Sequence, residues 1–413
     1  MPSREWISTF VGDHAEVRAR IGWRGLSSSE YVPDGPFLIA GKHIESGKVS
    51  WSSCDHLSWK RYRESPEIAL RPGDVIVSKD GTIGRVARID ELPAEATLNG
   101  TMMLVRPKSQ LNYRYLYHVL SSRAFQALVN ERTSGSSIPH LFQRDIVNLP
   151  IKLPSTSEQW RIAEILDAFD DKIHAASEMP KKHAALKERL IDQLLASEGT
   201  IPHVSLESCA PQDRPFLKAG PFGSSLKGSD WVEAGTPVVT IAALIDGAID
   251  PGELYFVTGS KASSLSAYRL FENDILFSRV ADVGRSAVVR KHQEGWIMSS
   301  NLMRIAVNSR QMNPDFLQIV IAGSSGVREQ IRRLTNSSGR EVINDRIVRH
   351  LLFPRPPIGG QLRIVNIVRE FDNSQEIAVR IIEKLKLAKH GLMEDLLTGR
   401  VRVDAAEAVL EDL

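Results

Sequence analysis

Gly73-Asp74-Val75-Ile76-Val77-Ser78 returns 200 residues later as Asn273-Asp274-Ile275-Leu276-Phe277-Ser278. In each copy a turn-forming residue and an aspartate lead into a short apolar run, the mark of a strand leaving a tight turn. The correspondence extends outward in both directions. Upstream, Leu26-Ser27-Ser28-Ser29-Glu30-Tyr31 with Gly35 answers to Leu226-Lys227-Gly228-Ser229-Asp230-Trp231 with Gly235. Downstream, Gly84-Arg85 falls on Gly284-Arg285, Met103 on Met303, and Gln159-Trp160-Arg161-Ile162 on Gln361-Leu362-Arg363-Ile364. Such a repeat exceeds the ~20 to 50 residue units of solenoids and propellers, so each copy is a whole domain with its connector.

Both copies keep one internal order: a glycine-punctuated extended part, a shorter helical part, a proline boundary, then a long helix. In the first copy, 37–40, 74–78, 84–89 and 102–105 read as strands, and 113–128 as a helix with Leu116, Val119, Leu120 and Phe125 on its apolar face. The second copy answers with strands at 237–241, 274–277, 287–290 and 302–307 and a helix over 314–334. The fold class is α+β, with two tandem globular domains.

After Pro154 and Pro357 the pattern changes. Ile364, Val368, Phe371, Gln375, Ala378, Ile382, Leu385, Lys389, Leu392 and Leu396 recur at alternating spacings of four and three. That is the a/d seam of a coiled coil. Ile162, Leu166, Phe169, Ile173, Ala176, Pro180, His183, Lys187, Leu190 and Leu194 hold the same register in the first copy. The two helices are expected to pair with each other, antiparallel; two separate amphipathic helices, each capping its own domain, is the alternative. Pro180 should kink the first helix or make it restart, because a mid-helix proline removes a hydrogen bond and clashes with the preceding turn. Its counterpart, Ile382, imposes nothing of the kind. The expected parcels are residues 1–153 and 199–356 as the domains, 154–198 and 357–399 as the helices, and 400–413 as a tail.

With 42% hydrophobic and 25% charged residues among 413, the composition is that of a soluble globular protein of two or three domains. Cys54 and Cys209 occupy non-equivalent places in the two copies, so neither a repeated disulfide nor a metal knuckle follows, and a reducing cytoplasm is the expected location. No apolar run reaches the ~20 residues of a membrane span, and no signal peptide opens the chain. A net charge of +2 does not decide about nucleic acid. Between Arg328 and Arg355 seven arginines face three acids, which suits either phosphate contacts or a solvated helix face.

Catalytic patterns are missing. There is no Asn/Asp-Pro-Pro-aromatic loop, no phosphate loop around Gly41 to Lys48, and no zinc-hydrolase histidine pair. Pro33-Asp34 with Glu45 and Lys48 departs by one residue from a nuclease carboxylate-lysine spacing. Gly220-Pro221-Phe222-Gly223-Ser224-Ser225 reads as a structural turn more readily than as an anion site. The chain has the character of a reader.

Three sets of elements resemble the specificity subunit of type I restriction-modification systems: Gly220 to Lys227; the strand starts at Asp74 and Asp274; and the Pro154 to Ile162 helix entry. Ser134 to Leu141, Leu186 to Leu195 and Leu396-Leu397-Thr398-Gly399-Arg400 resemble that family too. The resemblance spans the chain in two tandem copies. It implies two target recognition domains and two spacer helices, with double-stranded DNA, two methyltransferase subunits and motor-nuclease restriction subunits as partners. It further implies no catalysis and no bound cofactor in this chain, since S-adenosylmethionine, ATP and Mg would sit on those partners. Each domain would read one half of an asymmetric bipartite site.

For base contacts the polar loops between strands come first: Lys79, Thr82 and Arg85, then Arg279, Asp282 and Arg285. The glycine-serine loops follow, with Ser136, Ser137 and His140 opposite Ser337, Ser338 and Arg340. A turn residue facing solvent or phosphate is the competing reading at every position, and Asp74 and Asp274 read better as turn or strand-edge residues. Ile21-Gly22-Trp23-Arg24-Gly25 replaces Gly-Pro-Phe-Gly in the first copy, so the halves should read different sequences. A paired protein-interaction scaffold and a stand-alone DNA-binding defence or regulatory protein are the alternative functions.

Overall fold

The computed structural model describes residues 6–20, 26–134, 140–280, 284–336 and 343–404. The chain divides into two compact units, one built from Met1–Glu178 with Ala378–Leu413 and the other from Met179–Ile377. Each unit therefore contains one globular part, the start of its own long helix and the end of the other.

In the first unit, β1 (Ile7–Phe10) and β2 (Ala15–Ala19) are followed by β3 (Tyr31–Ile39), β4 (Asp55–Leu57), β5 (Val75–Ser78), β6 (Val86–Arg88), β7 (Ala96–Leu98) and β8 (Met102–Pro107). Then come α1 (Tyr113–Leu120), α2 (Arg123–Ser134), β9 (Pro150–Leu153) and the long α3 (Thr156–Ser197). An antiparallel sheet in the order β2-β8-β5-β6 forms the centre, and a smaller sheet, β4-β3-β7, contains a parallel pair.

The second unit repeats this with β10 (His203–Ser205), β11 (Leu217–Ala219), β12 (Trp231–Val232), β13 (Thr236–Val239), β14 (Tyr255–Val257), β15 (Ile275–Ser278), β16 (Ser286–Val288), β17 (Ile297–Met298) and β18 (Leu302–Ile305). α4 (Pro314–Gly323), α5 (Ser325–Asn336), β19 (Leu352–Pro354) and α6 (Ile358–Thr398) complete it. Its central sheet runs β11-β18-β15-β16. Met103 pairs with Val77 and Ala19, and Met303 with Phe277 and Ala219, so the register expected from the repeat is the register of the sheets. Gly35 and Gly235 recur because a Cβ at either would lie 2.4 or 2.2 Å from the carbonyl oxygen of Leu57 or Val257.

One expectation needs correction. Each shorter helix is two helices. The first breaks at Ser121 and Ser122, where the Ser122 side chain accepts from the Phe125 amide, and the second at Ser324, whose backbone is extended. Side-chain oxygens that bond nearby amides compete with the helix and start a new one. Of the two outcomes expected at Pro180, a kink or a restart, the restart does not occur, since Thr156 to Ser197 is one helix with the proline inside it.

Within each unit the helix segments run antiparallel. In the first, Lys389 Nζ lies 2.6 Å from Asp170 and Arg402 3.0 Å from Glu158, so rising numbers on one helix meet falling numbers on the other. In the second, Lys187 reaches Asp372 at 2.7 Å while Glu198 pairs with Arg363, and the His183 ring stacks on Phe371 at 4.6 Å. Lys187, Lys389 and His183, three polar residues at the expected seam positions, each find a partner on the opposing segment.

The start of each long helix is bolted to its domain by a glutamine. Buried Gln159 accepts from the Asn112 amide at 2.8 Å and donates to the Gln110 and Pro154 carbonyls. Gln361 does the same with Asn313, Gln311 and Pro356. Asn112 and Asn313 in turn cap α1 and α4, which satisfies otherwise orphaned amides at the helix starts.

Candidate nucleic-acid interface

The pairings Met102 with Ser78 and Val77 with Val86 bring residues 79–85 and 99–101 off the same end of the first central sheet. Lys79 continues the middle strand, since its amide donates to Thr101 at 2.8 Å and its carbonyl accepts from Leu141 at 3.0 Å. The second unit builds the same rim. There the Arg279 amide donates to Asn301 at 2.9 Å and its carbonyl accepts from Ile343 at 2.8 Å. Backbone held on both sides gives a basic side chain a defined starting direction, which a reading residue needs.

Arg85 and Arg285 are exposed and placed alike, their guanidiniums donating to the carbonyls of Gly41 at 3.1 Å and Ile241 at 3.3 Å. One guanidinium edge is thus committed to holding a turn. Thr82 is an exposed turn residue whose carbonyl accepts from Ser78 Oγ. His140 is hydrogen-bonded to Asp80, which also receives Lys79 Nζ at 3.0 Å. Partial burial works against ionisation of Asp80, but the bonds from Lys79 and His140 outweigh it and hold the carboxyl below its usual range. Ser136, Ser137, Asp282, Ser337, Ser338 and Arg340 lie outside the described residues.

Phe142 and Arg144 belong to this site and were not singled out from the sequence. Phe142 is 43% exposed, with the His140 ring edge-on to it at 4.5 Å and the Arg144 guanidinium over it at 4.5 Å. With Lys79 they line a cleft of about 350 Å³. An exposed aromatic among cations offers stacking beside phosphate neutralisation. The interleaved His140-Leu141-Phe142-Gln143-Arg144 was the available signal. In the second unit Gly220 donates to Leu302, which pairs with Ser278, and Phe222, two residues further on, is 82% exposed.

Other candidates resolve into structure. Asp74 is buried, accepts from the Arg71 amide at 2.7 Å and is gripped by Arg106 at 2.7 Å; Asp274 accepts from the Phe271 amide and meets Arg214 at 2.7 Å. Burial raises the Asp274 carboxyl to about 6 in spite of Arg214 and Arg304. In the arginine-rich stretch Arg328 pairs with Glu188, Arg332 and Arg333 with Glu329, and Arg349 with Glu207, which is the solvated-face reading. His118, Asp167 and Asp170 come close enough together for a metal, but Arg88, Arg114 and Lys389 already neutralise the two carboxylates. No helix among the described residues is long and apolar enough to cross a membrane.

The type I restriction modification DNA specificity domain family matches residues 36–182 and 217–387, once per repeat. The chain belongs to that family. It is 22% identical over 397 residues to the MjaVIII specificity subunit of Methanocaldococcus jannaschii, spanning 92% of this chain and 87% of the relative. It is 20% identical over 367 residues to the EcoKI specificity subunit of Escherichia coli, spanning 83% and 75%. The fold is also that of the type I restriction-modification S subunit from M. genitalium, at a TM-score of 0.52 and 15% identity over 95% and 96% of the two chains. The two matched stretches are therefore the DNA specificity domains of a type I specificity subunit, a non-catalytic role.

Proposed function

We propose that the chain reads an asymmetric bipartite DNA site, one domain per half, with the paired long helices acting as a coiled-coil ruler for the unread gap. The carrying observation is the rim built twice on the same backbone with different side chains: Lys79, His140, Phe142 and Arg144 on one, Arg279 on the other. Like backbones dock alike, and unlike side chains select unlike bases. Forty-two residues at 1.5 Å rise give α3 a length of about 60 Å, enough to span more than one DNA turn. Two methyltransferase subunits and motor-nuclease subunits would bind this chain in the cytoplasm and supply S-adenosylmethionine, ATP and Mg.

The test is co-expression with a methyltransferase subunit, followed by genome-wide mapping of N6-methyladenine. A two-part motif with a constant gap is expected. Inserting one heptad into both long helices should lengthen that gap; an unchanged gap would rule out the ruler. A competent methyltransferase that leaves no two-part motif would return the chain to the scaffold reading.

A further inference from the structure

The first rim carries an acid among its bases. Asp80 follows Lys79 where the chain leaves β5, and each of its carboxylate oxygens has a partner: one receives Lys79 Nζ at 3.0 Å, the other meets Nδ1 of His140. Partial burial opposes ionisation of Asp80, but those two bonds outweigh it, so the carboxylate is charged at neutral pH. An ionised carboxylate only accepts, which places a ring proton of His140 on Nδ1. The remaining base of the cleft, Arg144, is held differently. Its guanidinium lies over Phe142, and it makes no ion pair among the described residues. The second unit has Val280 at the position aligned with Asp80, and there Arg279 Nε donates to the neutral Ile343 carbonyl at 3.3 Å.

An acid in that place changes what the bases can bind. Attraction between a cation and a phosphate is Coulombic and blind to sequence. A carboxylate beside the cation repels the phosphate at nearly the same range, so most of that attraction is cancelled. A base edge in the major groove carries no net charge, and its acceptors need only a well-placed N–H donor. Lys79 and His140, backed by Asp80, therefore discriminate against backbone and in favour of base edges. Specificity is a difference of affinities, and weakening the commonest wrong contact raises it as surely as strengthening the right one.

We propose that Asp80 is a positioning residue that determines specificity: it holds Lys79 and His140 as donors for base edges in one half-site and withholds them from phosphates, which are left to Arg144. This rests on the reading of the chain as a DNA reader with one domain per half-site.

The experiment compares the wild type with Asp80→Asn, Asp80→Glu, Lys79→Ala and Arg144→Ala, each as the full chain co-expressed with a methyltransferase subunit. Binding to a random-sequence duplex is measured from about 50 to about 200 mM salt, and the methylated motif is mapped for each. Asp80→Asn keeps the side-chain shape and removes the charge. Its affinity for the random duplex should rise about fivefold to tenfold, with a salt slope steeper by about 1 as Lys79 takes up a phosphate. The half of the motif that Lys79→Ala relaxes should relax about tenfold in Asp80→Asn too, the other half staying as it was. Asp80→Glu, which keeps the charge, should restore the wild-type slope, and Arg144→Ala should weaken random-duplex binding and flatten the slope. An unchanged or flatter slope in Asp80→Asn, as a merely structural acid would give, overturns the proposal, and so does a steeper slope with both half-sites intact. If the wild type yields no two-part motif, the bipartite reading falls, and the slope alone decides for or against Asp80. Far-ultraviolet dichroism of Asp80→Asn checks that the fold is intact.

Discussion

Eight residues beyond the bolting glutamine, the two long helices carry opposite charges: Asp167 on one, Arg369 on the other. Two residues beyond the capping asparagine, the domains carry the reverse, Arg114 and Asp315. Each pair meets, Arg114 with Asp167 at 2.5 Å and Arg369 with Asp315 at 2.7 Å, and each acid takes a second arginine, Arg88 or Arg290. The same clamp between domain and helix is thus made with its polarity inverted. What the geometry requires is one acid and one base facing each other, and which element carries the acid is free provided both change together.

The inversion also changes the setting. Asp167 is buried and receives the wholly buried His118 at 2.7 Å, whereas Asp315 and Arg369 are more open to solvent. Burial opposes ionisation of Asp167, but His118 and Arg88 outweigh it and hold the carboxyl well below the usual range. Burial is the leading cause of the lowered affinity of His118 for protons. Its Nδ1 has no hydrogen-bond partner among the described residues, as suits a neutral ring that gives its only N–H to Asp167.

The sharpest way to break the comparison is to reverse one charge. Arg114→Asp should cost about 3–5 kcal/mol, because it strands a buried acid beside a like charge. Adding Asp167→Arg, which copies the second unit, should recover about 2–3 kcal/mol of that in a double-mutant cycle. Asp315→Arg, in the exposed clamp, should cost only about 1 kcal/mol. Denaturant unfolding of the full chain measures all three, and equal costs in the two units would refute the contrast.

Glycine gives a smaller contrast. Gly84 and Gly284 both have positive φ, but a Cβ at Gly84 would meet Val129 at 2.9 Å, while at Gly284 the nearest atom, on Ile331, is 3.7 Å away. Gly84→Ala should cost about 2–3 kcal/mol and Gly284→Ala about 1–2 kcal/mol. At the rims, Lys79→Ala should relax one half of the methylated motif and Arg279→Ala the other, each by about tenfold in discrimination. Methylation mapping reads this directly, and relaxation of both halves by one variant would contradict separate reading.

Acid stability gives the last contrast. Below about pH 6.5 the unfolded chain protonates His118 while the folded chain resists, so the first unit loses stability on acidification by up to about 1.4 kcal/mol per pH unit. The contribution of Asp167 is present above about pH 4 and fails only as pH falls further. His118→Ile, which places the second unit's Ile319 residue type there, should flatten the difference between pH 7 and 5.5. An unchanged difference would assign the acid sensitivity elsewhere.

Much of this was legible in the residues. The repeat register, the α+β order, the long helices and the positions of Lys79 and Arg279 follow from local pattern and from self-similarity, which need no distant partner. The seam could be read as far as its polar interruptions, but not what Lys187, Lys389 and His183 would meet. The broken helices escaped because apolar spacing passes undisturbed through Ser121-Ser122 and Ser324, where backbone bonding alone is interrupted. Phe142 and Arg144 escaped because their roles depend on being folded against residue 79, more than sixty positions away.

By itself the sequence determined that there are two copies, where the middle strands of each central sheet and the long helices begin, and which family they belong to, since these are properties of neighbours along the chain and of internal repetition. Only the tertiary structure decided that the clamps are inverted and that Phe142 and Arg144 fold against Lys79. Those are properties of groups meeting across more than fifty residues, where a Coulombic or packing contact is set by the fold and leaves no periodic trace in either partner's local sequence.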